Sequence, residues 1–251
     1  LLGAGPDEVE VQFATEIGAR ETSRGLAGGE GGVADSEGAG AAVPGVAGFD
    51  QREVVEGRQQ LQVLARRPAQ RPIIVVGCSR AGTTLVYKTL SESREIGSLQ
   101  RETHDYWTDL HPLADKRWDT HALDAGDASP ADRDTVSRYF YRWTGQHRWV
   151  DKNNQNGLCV PYLQALFPDA VFVFIKRSPG DNLNSLIEGW RKPDEFATWS
   201  NDLPATVAVE NGTLTQWCFF LADGWREYVN APVEDVAAFQ YTAINQAILD
   251  A

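Results

Sequence analysis

The stretch Gly77-Cys78-Ser79-Arg80-Ala81-Gly82-Thr83-Thr84 puts two glycines, three hydroxyls and a guanidinium into eight residues. It follows the apolar run Ile73–Val76 and precedes Thr83–Leu90, whose pattern suits a helix. A strand, a glycine-pinned loop and a helix start, in that order, make an anion nest. The first N–H groups of a helix have no partner inside it, and its dipole adds positive potential at the same point. Arg80 adds a cation whose donors are fixed in a fork. The chemistry such a loop can do is to hold phosphate oxygens.

The spacing Gly-x-x-x-x-Gly-Thr-Thr comes close to the triphosphate-binding Gly-x-x-x-x-Gly-Lys-Ser/Thr. Thr83 stands where a lysine would reach the β- and γ-phosphates. The expected ligand therefore carries phosphate, and the missing lysine argues against ATP or GTP.

The 251 residues suit one α/β domain or one such domain with a helical appendage, and 42% apolar content allows a sizeable core. The net charge of -12 argues against a broad nucleic-acid surface, so positive charge must be local. Cys78, Cys159 and Cys218 lack metal-ligand spacing and do not outline a disulfide scaffold. The histidines, His104, His111, His121 and His147, are scattered, and no metal site is expected. No apolar run is long enough to span a bilayer and no signal peptide is read, so a cytoplasmic location is expected. The triplet Asn211-Gly212-Thr213 is a glycosylation sequon that matters only in a secreted chain. Methionine is absent, and the chain is expected to be incomplete, at its C-terminal end in particular.

The elements that must position the loop follow from pattern. Residues 1–24 are expected to be partly helical, with Val9, Phe13, Ile17 and Ala19 on one side, and the Gly/Ala-rich stretch 25–48 is expected to be a linker or mobile loop. Residues 1–49 thus form an N-terminal segment and residues 50–251 the α/β domain. Asp50 is placed to cap a helix that runs to Arg67 and stops at Pro68. Ile73–Val76 and Ala170–Ile175 read as strands buried on both faces, as in a parallel sheet. Helices are expected over Thr83–Leu90 (Leu85, Val86 and Leu90 inward), from Pro130, over Val160–Leu166, over Asp181–Trp190, over Thr215–Val229 and after Pro232. Trp149-Val150-Asp151-Lys152 ends a short strand. The alternation gives a three-layer fold with a central parallel sheet and flanking helices.

Two separated motifs, each at a strand end, carry a family resemblance. The chain resembles sulfotransferases that use 3′-phosphoadenosine 5′-phosphosulfate (PAPS), and is most similar to the bacterial group whose loop reads roughly Gly-x-x-Arg-Ser-Gly-Thr-Thr. The second motif is Phe172-Val173-Phe174-Ile175-Lys176-Arg177-Ser178-Pro179 followed by Ser185, eight residues after the arginine. Asp151-Lys152-Asn153-Asn154 is similar to the family's acid-Lys-x-Pro segment. The resemblance covers about residues 50–230 and implies a sulfuryl transferase on a P-loop-like fold. It departs from the family at Ala81 (usually Ser), Asn154 (usually Pro) and Tyr241-Thr242-Ala243-Ile244, where a Tyr-Glu-acid-Leu segment is usual.

On that resemblance Ser79, Arg80, Ala81, Gly82, Thr83 and Thr84 bind the 5′-phosphosulfate side of the donor, with Arg80 on the bridging and 5′-phosphate oxygens. Arg177 and Ser185 bind the 3′-phosphate; Lys176 and Ser178 lie close enough to compete. Glu102 and His104, in Arg101-Glu102-Thr103-His104-Asp105, are the candidates for accepting the acceptor's proton, and a raised carboxyl pKa would suit Glu102. Lys152 would neutralise the transferring group or orient the donor, or else pair with Asp151 or another acid. Tyr106, Trp107, Trp118, Tyr139, Tyr141 and Trp190 could line an acceptor or adenine pocket. The product would be 3′,5′-adenosine bisphosphate (PAP). The acceptor would be a carbohydrate, lipid or small-alcohol hydroxyl, and a homo-oligomer stays open. The competing readings are a P-loop kinase or nucleoside triphosphatase, and a non-catalytic nucleotide-binding protein.

Overall fold

The computed structural model describes residues 10–14, 68–196, 207–209, 212–214 and 217–251. The helix expected over 50–67, the boundary expected at 49/50, the stretch 25–48 and Asn211 of the sequon lie outside them. The fold is α/β, a central and mainly parallel sheet flanked by helices, as the sequence implies.

β2 (Ile73–Gly77) is the middle of the sheet, and all of it is buried. Its β-branched run suits a strand covered on both faces. β4 (Val171–Lys176) pairs with it in parallel from Ile73–Val171 to Gly77–Ile175. β3 (Val150–Lys152) pairs in parallel on the other side, from Ile73–Val150 to Val75–Lys152. From β2 the chain passes through α1 (Thr83–Ser91), α2 (His104–Leu110) and α3 (Pro130–Thr144) to β3. It then runs through α4 (Val160–Leu166) to β4 on the opposite side of β2. The chain therefore changes direction across the sheet at the carboxyl end of β2, which is where open α/β sheets bind ligands.

β1 (Glu10–Ala14) adds an antiparallel edge to β4, in register from Glu10–Lys176 to Ala14–Phe172. This corrects the helical expectation for that part of the chain. The alternation in Glu10-Val11-Gln12-Phe13-Ala14 fits period 2, which the sparser spacing of Val9, Phe13 and Ile17 conceals. After β4 come α5 (Pro179–Trp190) and α6 (Pro193–Phe196). They are followed by the hairpin β5 (Val207–Val209) with β6 (Gly212–Leu214), and by α7 (Val233–Leu249).

Two further expectations change. In α1 the buried side chains are Thr83, Tyr87 and Ser91, while Leu85 is 70% exposed rather than inward. Residues at i, i+4 and i+8 share the core face, and Leu85 is turned almost opposite to it. The helix expected over Thr215–Val229 is replaced, among the described residues, by an irregular run and a short 3-10 turn at Trp225–Tyr228. Trp217, Cys218, Phe219, Phe220, Leu221 and Ala222 are all buried. Six consecutive buried residues cannot share one helical stripe. Polar ties replace the helical bonds: Gln240 Nε2 donates to the carbonyls of Cys218 and Phe220, and Leu221 N–H donates to His121 Nδ1 at 2.8 Å.

Candidate functional site

The loop after β2 is shaped by backbone that resists side chains. Gly77 has φ +153°, and a Cβ there would sit 2.6 Å from the Ile175 carbonyl oxygen of the neighbouring strand. Gly82, at φ 105°, is the residue before the first turn of α1 and opens that turn in the left-handed region. Arg80 is also left-handed, at φ 69°, a conformation L-residues adopt only when the surroundings impose it. The loop is pinned from α5: Asn182, buried at the helix's inner face, donates Nδ2–H to the Ser79 carbonyl at 2.9 Å. The Ala81 N–H closes a turn on the Cys78 carbonyl.

A cleft of about 610 Å3 opens over the carboxyl ends of β2, β3 and β4. That size lies within the usual small-molecule range of ~300–1,000 Å3. Ser79, Arg80, Gly82, Thr83, Thr84, Glu102, His104, Lys152, Arg177 and Ser185 all line it. Ala81 does not; its side chain is buried in the core. The departure at Ala81 thus falls at a buried position outside the lining.

On one side of the cleft stand the loop and the start of α5. Arg80 Nε donates to Ser185 Oγ at 3.2 Å, and its guanidinium lies 5.0 Å from the Phe196 ring centroid. Arg177 Nη1 donates to the Arg80 carbonyl at 3.3 Å. The two arginines expected at separate phosphates thus meet through one backbone group. Ser178 is taken by its helix: its hydroxyl caps α5 at Asp181 N–H and bonds the Asp181 carboxylate. Lys176 is exposed at the end of β4 and is absent from the cleft lining. Ser79 Oγ is buried, lines the cleft and has no hydrogen-bond partner among the described residues. A buried orphan hydroxyl is costly unless a ligand completes it.

On the other side, Glu102 is bonded at both oxygens. Oε1 accepts from Lys152 Nζ at 2.5 Å and from Thr84 Oγ1 at 3.4 Å, and Oε2 lies 2.7 Å from His104 Nε2. Burial opposes its ionisation, but the bonds from His104 and Lys152 prevail and hold the carboxyl at about 2. A raised value would suit a base, and these partners hold Glu102 in the opposite direction. Of the acids open to it, Lys152 pairs with Glu102 and not with Asp151. Successive residues of β3 point to opposite faces, so Lys152 reaches the cleft and Asp151 turns beneath it.

Asn154, Glu195, Phe196 and Phe219 complete the lining, and none was marked as a site residue by the sequence. The expected aromatic set is elsewhere. Trp107 and Trp190 are buried, Tyr106 stacks on Tyr139 at 3.8 Å, Tyr141 stacks on His147, and Trp118 packs against the core. Asn182 could have been found, as the polar member of the buried positions 182, 186, 189 and 190. Phe196 and Phe219 come from distant short segments with no shared pattern.

The sulfotransferase family profile matches residues 72–247. The chain belongs to the sulfotransferase family. It is classified with that family's enzymes, and both strand-end motifs of this sulfotransferase lie inside the matched region. No curated protein and no solved structure matches the chain. Among the described residues, no group of three or more His, Cys, Asp or Glu side chains gathers as it would around a metal ion. Nor is any helix there long and apolar enough to cross a membrane.

Proposed function

We propose that this sulfotransferase-family chain transfers a sulfuryl group from PAPS to an acceptor hydroxyl, with PAP as the other product. The observation that carries the reading is the buried Ser79 hydroxyl, without a partner among the described residues, in a cleft that also holds Arg80, Arg177 and the start of α1. Neutral and cationic donors gathered around a polar cleft suit a ligand with several anionic oxygens.

When bound, the donor supplies the sulfuryl group and a bisphosphate leaving group. Ser79, Arg80, Thr83, Thr84 and the first N–H groups of α1 would hold its 5′ side, and Arg177 with Ser185 its 3′-phosphate. Arg80 must give up or share its bond to Ser185 to do this. Lys152 would turn from Glu102 to the sulfuryl oxygens, where an ammonium stabilises charge that grows in transfer. Glu102 would then have Oε1 open to the acceptor's O–H and would take its proton, with His104 holding Oε2. Removing Lys152 also removes one of the groups that keep Glu102 low. The base thus gains strength when the donor is in place. The acceptor is a hydroxyl of a carbohydrate, lipid or small alcohol, in a site that needs no metal.

Calorimetric titration with PAP in the absence of Mg2+ tests the reading. Saturable binding is expected, and Arg177→Ala should weaken it roughly tenfold to a hundredfold by deleting a charge-assisted contact. Binding of ATP with Mg2+ and none of PAP would overturn it in favour of a kinase or nucleoside triphosphatase.

A further inference from the structure

Asp151 is a carboxylate with 1% exposure, one residue from Lys152 on β3. Oδ1 accepts the Thr103 hydroxyl at 2.6 Å, and Oδ2 accepts Trp107 Nε1–H at 3.0 Å and Asn156 Nδ2–H at 3.2 Å. All three partners are neutral. An asparagine could satisfy the same set: its oxygen would serve Trp107 and Asn156, and its amide would face the Thr103 oxygen. The shape of the cluster does not demand a charge, and burial makes one costly. Burial indeed raises this carboxyl's affinity for protons, against the three bonds that oppose it.

What the charge touches suggests its use. Thr103 is the residue between Glu102 and His104, and Trp107 lies one turn further along α2. Thr103 is fully buried against Asp151, while the residues on both sides of it line the cleft. We propose that Asp151 is a positioning residue for the Glu102–His104 pair: it fixes the segment through Thr103 and Trp107, and its buried negative charge tightens the pair's hold on a proton. This deepens, and rests on, the transferase reading of the cleft.

The charges around the pair support that sense. From β3 come Lys152, bonded to Glu102, and Asp151. From α1 come the Thr84 hydroxyl, on Glu102, and the Tyr87 phenol, which feels the Asp151 charge as Tyr106 and Tyr139 also do. His121, from the segment after the 3-10 turn Leu113–Lys116, lies close enough to His104 for like charges to repel, and burial holds it neutral. Arg101 is turned to Asp105 and Tyr139. Arg80, Arg177 and Glu195 line the same cleft. Of these groups, Asp151 is the buried carboxylate tied through Thr103 to the segment that carries the pair.

The test reads the pair without donor or acceptor. Imidazole resonances of 15N-histidine protein are titrated with pH and assigned by comparison with His104→Gln. In Asp151→Asn the midpoint of the pair should move to lower pH by about half a unit or more, roughly a threefold loss of proton affinity. Thr103→Val keeps the charge and removes the tether. It should leave the midpoint in place but lower PAPS turnover about tenfold, and Thr103→Ser should restore that turnover. An unmoved midpoint in Asp151→Asn overturns the charge role. Should that variant not fold, equal turnover in Thr103→Val and the parent overturns the positioning role. Failure of the parent to bind PAP counts against the transferase reading alone, because the titration needs no nucleotide.

Discussion

Glu102 has hydrogen-bond partners on both carboxylate oxygens, and this divides the work of the cleft between two side chains. Glu102→Gln keeps an oxygen for Lys152 but cannot take a proton. Turnover should fall by about 10^2 to 10^4, as for loss of a general base, while PAP binds as before. Unchanged turnover would move the role to His104. Lys152→Met probes the other half. PAP lacks the sulfuryl group that Lys152 is proposed to meet, so PAP affinity should stay within a few-fold. PAPS turnover should drop about 10^2 to 10^3, the usual loss for one donor to a developing oxyanion. Equal losses in PAP binding and in turnover would instead make Lys152 a ground-state nucleotide ligand.

At the scale of elements, the strand–loop–helix unit depends on Gly77 as much as on its polar side chains. Gly77→Ala would press a methyl into the Ile175 carbonyl at a backbone angle that disfavours side chains. A loss of about 2 kcal/mol in denaturant unfolding is expected, together with weaker PAP binding as the loop shifts. Full affinity in a stable variant would show that the loop tolerates displacement. This unit was legible in the sequence because its signals are local: a buried apolar run, glycines at both ends of a loop, and helical spacing after it. The Arg177–Ser185 motif was legible for the same reason, and α4 matches its expected range of Val160–Leu166. The rest required contacts across the chain. The low value at Glu102 comes from His104 nearby and also from Lys152, fifty residues away. The run at 217–222 is held by contacts from α5, α7 and His121 together, all far off in the chain. Phe196 and Phe219 meet through a backbone bond between their segments, Phe219 N–H to Phe196 carbonyl at 2.9 Å.

Across the whole molecule, His121 joins the first half of the chain to the second. Its N–H donates to the Leu221 carbonyl at 2.9 Å, and its Nδ1 accepts the Leu221 N–H. Burial, aided by repulsion from His104, pushes its pKa from 6.5 down to about 4, against the Leu221 bond. The unfolded chain therefore takes up this proton first as pH falls. The stability tied to a neutral His121 is complete above about 6.5 and is lost progressively toward 4, on the order of 3 kcal/mol in all. Urea unfolding at pH 7 and pH 4.5 should display that slope, and His121→Asn, whose amide oxygen can still accept from Leu221, should flatten it. Superimposed slopes would remove His121 as the source. The edge strand β1 has a consequence of another kind. Residues 10–14 pair with a strand whose partner residues are 172–176. At roughly 5–20 residues per second of synthesis, β1 leaves the ribosome about ten to thirty seconds before β4 exists. The sheet must therefore be closed backwards, with the earlier-made β1 waiting for β4, and a chaperone that shields a short strand during that interval would act on assembly without touching the cleft.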